Sequence, residues 1–193
     1  MSLLDQLTQA ITAQAAPQAA QKTGLDTGQL EKLMPMATAM MMSRLGKNAE
    51  NPQAAKALNA ALDRHQNNPP SLTDDNVIAD GEKILGHVFG GQKNNAAQSL
   101  AKIGGIDQGQ ASSLMAMLAP MVMGALGQQK KQQGGFDANQ LAGLLGQERK
   151  NAQAAMPDDL NPLMKMLDSD GDGNVQDEIM GLGAKLMGNM FKR

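Results

Sequence analysis

Cysteine, tryptophan and tyrosine are absent from the chain, and phenylalanine occurs only at Phe89, Phe136 and Phe191. Without cysteine there is no disulfide framework, no thiolate zinc site and no Cys nucleophile, and the redox compartment is left open. Aromatic and β-branched residues, which suit a pleated surface, are too scarce for extensive sheet. Charge of one sign is lacking as well: a formal net charge of −2 over 193 residues offers no electrostatic footprint for nucleic acid. Lys130, Lys131, Arg149 and Lys150 lie scattered among glutamines and read as a solvated face. The longest apolar run, Met115 to Leu126, has 12 residues, whereas a membrane-spanning helix needs about 20. The N-terminal MSLLDQLTQAITAQAAPQAA has no Lys or Arg and no continuous apolar stretch, so it does not read as a secretory signal. A soluble cytoplasmic protein without a membrane span is expected. A protein partner is compatible with this composition, but no motif specifies one or an oligomeric state.

What the chain has instead is 16 methionines with abundant Ala and Leu, a mixture of strong helix formers that points to an all-α fold. It also repeats itself. TGLDTGQLEKLMPMATAMMMSRLGK, Thr23 to Lys47, aligns without a gap on GGIDQGQASSLMAMLAPMVMGALGQ, Gly104 to Gln128, at an offset of 81 residues. Gly24, Asp26, Gly28, Gln29, Leu33, Met34, Met36, Met40, Met42, Leu45 and Gly46 recur as Gly105, Asp107, Gly109, Gln110, Leu114, Met115, Met117, Met121, Met123, Leu126 and Gly127. The same offset carries Ala15 and Ala16 onto Ala96 and Ala97. After a two-residue gap, Leu58, Ala61 and Leu62 fall on Leu141, Leu144 and Leu145. Two copies of one helical unit, packed as a bundle, are expected.

Helix signals agree between the copies. Asp26 with Gln29, Asp107 with Gln110 and Asp137 with Gln140 have the spacing of a capping box, in which a short acidic side chain takes a free N-terminal N–H and a residue three on reaches back. Leu30, Leu33, Met34, Ala37, Met41 and Leu45 recur at three and four, giving one apolar stripe that ends near Gly46. Pro35 and Pro120 should kink or interrupt such stripes, since each removes an N–H and crowds the preceding turn. Asn51 followed by Pro52 opens a further helix, and Gly90 with Gly91 closes the one carrying Val88 and Phe89. HQNNPPSLTDDN, His65 to Asn76, is the clearest linker and KKQQGG, Lys130 to Gly135, a looser break. These marks divide the chain into a first repeat over 1–66, a linker over 67–80, a second repeat over 81–150 and a terminal helix-loop-helix over 151–193.

The terminal segment carries the one chemical signal. DSDGDGNVQDEI, residues 168 to 179, has the D-x-D-x-D-G spacing of an EF-hand: Asp168, Asp170 and Asp172 at ligand positions 1, 3 and 5, Gly173 at the sharp turn, Asn174 giving a backbone carbonyl, and Val175 as the apolar anchor. Oxygen ligands at alternate places wrap a hard cation, and three carboxylates this close repel one another unless a cation neutralises them. The bidentate acid of position 12 is missing, because Ile179 stands there and Asp177 and Glu178 precede it. One residue on a starting helix is a rotation of about 100°, so Glu178 is no simple replacement. Asp177, Glu178 or water closes the shell, with Ile179 turned inward beside Leu182 and Leu186. Calcium is the expected ion, bound weakly; magnesium would demand tighter octahedral geometry. An Asp- and Gly-rich turn capping the last helix is the competing structural reading.

GEKILGHVFGGQ (Gly81 to Gln92), LMAMLAPMVMGALG (Leu114 to Gly127) and MLDSDGDGNVQDEI together resemble the bacterial domain-of-unknown-function family that includes YidB-like proteins. The resemblance runs from about Gly81 onward, with the first half as a divergent copy that has Pro35 placed early and Arg44 where the second copy has a small residue. It implies a predominantly helical fold and brings no activity, substrate or catalytic residue.

Elsewhere the chemistry is sparse. His65 and His87, the only imidazoles, have no acid, hydroxyl or second His in triad or metal spacing. The glycines form neither a Walker nor a dinucleotide-binding pattern. A non-enzymatic protein is therefore expected, with no catalytic residue and no cofactor other than calcium. The Met-rich stripes, Met34 to Met42 and Met115 to Met123, have two readings: buried helix faces, which their Ala- and Leu-flanked periodicity favours, or the groove of an adaptor that takes a partner helix, with the acidic loop incidental.

Overall fold

The computed structural model describes residues 3–65 and 76–155; the segment expected as a terminal helix-loop-helix therefore lies, past Ala155, outside the described residues. Seven α-helices follow one another there: α1 (Leu3–Thr23), α2 (Thr27–Ala49), α3 (Pro52–His65), α4 (Val77–Phe89), α5 (Lys93–Gly104), α6 (Gln108–Gln132) and α7 (Ala138–Ala155), with one turn of 3-10 helix at Gly90–Gln92 between α4 and α5. No strand occurs among the described residues, so the all-α expectation holds there.

Each helix boundary has a local cause. Leu7, Ile11, Ala15 and Ala19 bury one edge of α1 at four-residue spacing. That helix stops where Gly24 takes a left-handed φ of +70° and donates its N–H to the Ala20 carbonyl at 2.9 Å. Two residues later Asp26 starts α2, its Oδ1 accepting from the Gln29 N–H at 2.8 Å while Gln29 Oε1 accepts from the Asp26 N–H at 3.1 Å. The same device separates α5 from α6, through Gly105 at φ +63° and the Asp107–Gln110 box at 2.9 and 3.2 Å. Asp137 and Gln140 repeat it before α7. At α3, Asn51 Oδ1 accepts from the N–H groups of Gln53 and Ala54. All four starts read from the sequence are therefore helix starts.

The structure rules out interruption at the prolines and a matching first helix in the two halves. Pro35 and Pro120 do not interrupt their helices: α2 runs on to Ala49 and α6 to Gln132, with each proline inside. Packing on both flanks outweighs the loss of one N–H, and Pro120 is itself buried in the core. The N-terminal half also does not mirror the second half over its first helix. Where the second half has Gly90 at φ +56° and a 3-10 turn, the first has Gln9, Ala10 and Ile11, and α1 passes through unbroken.

Residues Met1–Ala155 belong to one compact unit. Its most extensive contact is α2 on α7, followed by α4 on α6; α1 lies against α2 and α6, α5 against α6, and α3 against α6 and α7. Helices of 1–66 and of 81–150 thus share one core, and Val77 to Asp80, the end of the 67–80 segment, form the first turn of α4. Glycines set the closest approaches. A Cβ at Gly81 of α4 would fall on the Ala116 backbone of α6, and one at Gly46 of α2 would lie 2.7 Å from the Leu145 carbonyl oxygen of α7.

Candidate functional site

The residues expected to bind calcium, Asp168, Asp170, Asp172, Asn174, Asp177 and Glu178, lie outside the described residues. Among the described residues no group of three or more His, Cys, Asp or Glu side chains could hold a metal ion. His87 is exposed on α4, and His65 is half-buried at the end of α3.

The methionine stripes are core. Met34, Met41 and Met42 of α2 and Met115, Met117, Met121 and Met123 of α6 are all at most 5% exposed, so their thioethers fill the bundle instead of lining a groove. Met36 and Met40 are half-buried and pack on the same core. Burial also explains α6 as a whole. By length and composition alone it is the one described helix apolar enough to cross a membrane, yet 72% of its most apolar window is buried inside the bundle, as in a core helix. The helix is longer than the 12-residue apolar run suggests because Gln and Ser extend it at the start and Gln and Lys at the end.

Several polar side chains of this unit link one helix to another. Lys130, read from the sequence as part of a solvated face, is only 7% exposed. Its methylene stem lies along the core and its ammonium reaches α3, where Nζ donates to the Asn59 carbonyl at 3.1 Å and pairs with Asp63 Oδ1 at 2.6 Å. Arg149 likewise crosses from α7 to Glu50 at the end of α2, while Lys131 and Lys150 are exposed as expected. Glu148, beside Arg149, is buried and accepts from Asn151 Nδ2 at 3.2 Å. Glu82 of α4 pairs with Lys93 of α5 and accepts from Ser112 Oγ of α6.

Two further links were not legible in the sequence. Asn48 Nδ2 donates to the Val88 carbonyl at 2.7 Å, tying α2 to the end of α4. Gln110, besides closing its own capping box, donates through Nε2 to the Thr23 carbonyl at 3.0 Å, 87 residues away. The box spacing reveals the first role of Gln110; nothing in a linear pattern reveals the second. Chemically, most of these groups are inter-helix ties through a carbonyl or an opposite charge, with the Ser112 hydroxyl as a further partner of Glu82 and Asn151 as a partner of Glu148 within α7.

The family model for a bacterial protein of unknown function (DUF937) matches residues 5–129. The match takes in nearly all of α1 to α6, and it ends before the acidic loop, so the resemblance read from Gly81 onward is wider at the front and shorter at the back. No curated protein and no solved structure matches the chain. The chain belongs to this family.

Proposed function

We propose that this member of a bacterial family of unknown function is a non-enzymatic cytoplasmic protein, built from two copies of one helical repeat, that binds calcium through its terminal acidic loop. Kinship with the YidB-like members is part of the same reading. The single observation that carries the calcium assignment is the D-x-D-x-D-G spacing of Asp168, Asp170, Asp172 and Gly173, followed by Asn174 at the carbonyl position. Asp177 or Glu178, or water, completes the shell. The bound ion fixes the geometry of the loop and serves a structural or weakly regulatory purpose. With position 12 occupied by Ile179, the affinity belongs at the weak end of the EF-hand range, roughly 10⁻⁵ to 10⁻³ M.

In support of two copies, α2 and α6 begin 81 residues apart, each with a left-handed glycine two residues before an Asp/Gln capping box. An adaptor that offers its methionines to a partner helix draws no support from side chains packed into the core.

Calorimetric titration of chelator-stripped protein tests the site. Calcium should bind with one-site stoichiometry in the stated range, with magnesium weaker, and Asp170→Ala should abolish the heat. No binding at millimolar calcium, or equal binding by Asp170→Ala, would sink the assignment.

A further inference from the structure

We propose that the two halves of the described unit, residues 3–65 and 76–155, are interlocked partners, α2 of the first being the docking surface for α7 of the second and α6 of the second the docking surface for α3 of the first. The packing is crossed. α2 is joined in sequence to α3 but packs far more extensively on α7. α7 has no substantial packing on α6, the helix it follows, and rests on α2, α3 and α1. α3 in turn rests on α6 and α7 more than on α2.

Side-chain chemistry is matched to each crossing. On one, Gly46 removes the side chain that would meet the α7 backbone at Leu145, and Glu50 receives Arg149 at the rim. On the other, the buried Lys130 of α6 reaches the Asn59 carbonyl and Asp63 of α3. A half taken alone would leave the face of α2 or of α6 uncovered and would strand either the ammonium of Lys130 or the fitted notch at Gly46. Burying an apolar helix face is the main favourable term in a bundle, so the crossed helices make each half the specific partner of the other. The chain between them keeps the halves at high effective concentration, and their recognition resides in the crossed faces. The inference stands whether or not the halves are copies, and it does not involve the acidic loop.

The full chain tests it. A protease recognition sequence inserted within 66–75 allows the folded protein to be cut between the halves. The two pieces should co-elute as one 1:1 species with unchanged helical circular dichroism and melt together in one transition. Because the chain has no cysteine, Glu50→Cys with Arg149→Cys and a short bis-maleimide should join the two pieces covalently, one residue lying in each. Gly46→Ala in the cut protein should weaken the association roughly tenfold to a hundredfold, as overpacking by one methyl against backbone implies. Pieces that separate on gel filtration, each keeping its helical signal and melting on its own, would overturn the proposal. So would cross-linking that joins neither piece to the other.

Discussion

At the scale of single residues, the decisive positions are glycines that admit a neighbouring backbone. Gly81 brings α4 onto the Ala116 backbone, where neither partner has a flexible side chain that could yield. Gly81→Ala should therefore push α4 off α6 and lower stability by about 1–3 kcal/mol, the usual penalty of overpacking. Gly86, on the same helix, is exposed and has open space where a Cβ would stand. Gly86→Ala should stabilise by about 0.5–1 kcal/mol through helix propensity alone. Urea midpoints of the two variants, moving in opposite directions, would check the assignment of the contact; equal shifts would contradict it. In the acidic loop the open choice is also one of single residues. If Asp177 closes the shell, Asp177→Asn should weaken calcium binding at least about tenfold while Glu178→Gln leaves it near the parent; the reverse ranking assigns Glu178, and no effect from either leaves water. Titration calorimetry of the two variants reads this directly.

Among the helices, prolines and capping boxes show how far local rules reach. The boxes at Asp26, Asp107 and Asp137 act as their spacing implies, because a cap needs only four consecutive residues and free N–H groups. Proline rules are equally local but are overridden by packing. Pro35 has no N–H to give the Glu31 carbonyl, yet α2 continues because its face is held by α7 and α1. Being only half-buried, Pro35 gives up little packing when replaced. Pro35→Ala should thus raise stability by about 1–2 kcal/mol, the recovered hydrogen bond and relief of crowding less the loss of a restricted unfolded chain. A lower denaturation midpoint for this variant would mean that the bundle requires the bend a proline imposes. The methionine stripes belong at this scale too. Their three-and-four spacing marks a buried helix face, and it is the neighbours covering them that make the face core instead of groove.

For the molecule as a whole, crossed packing determines how the described unit unfolds. With α2 on α7 and α3 on α6, neither half can lose its partner without exposing a helix face. Differential scanning calorimetry should show a single transition for this unit, with calorimetric and van't Hoff enthalpies in agreement. Two resolved transitions, one for each half, would contradict the shared core. The pairs that close the unit are also distant in sequence, Glu50 and Arg149 being 99 residues apart. Loop closure must precede such contacts, so folding should be slower than for a bundle of sequence neighbours.

The sequence by itself determined the helical class, the three Asp/Gln caps, the start of α3 at Pro52, the close of α4 before Gly90, and the 81-residue echo between α2 and α6. Each depends on interactions within a few residues or on direct comparison of two stretches of the chain. It also supplied the spacing of the candidate calcium loop, which is a matter of chain order alone. Only the tertiary structure decided that Lys130 is buried, that Gln110 reaches Thr23, that the prolines stay inside intact helices, and that α7 rests on α2. These depend on which apolar faces meet, and every helix here has a face that several others could cover. Choosing among those pairings is a property of the packed whole, settled by where a glycine lets a backbone in and where a buried ammonium finds its carbonyl.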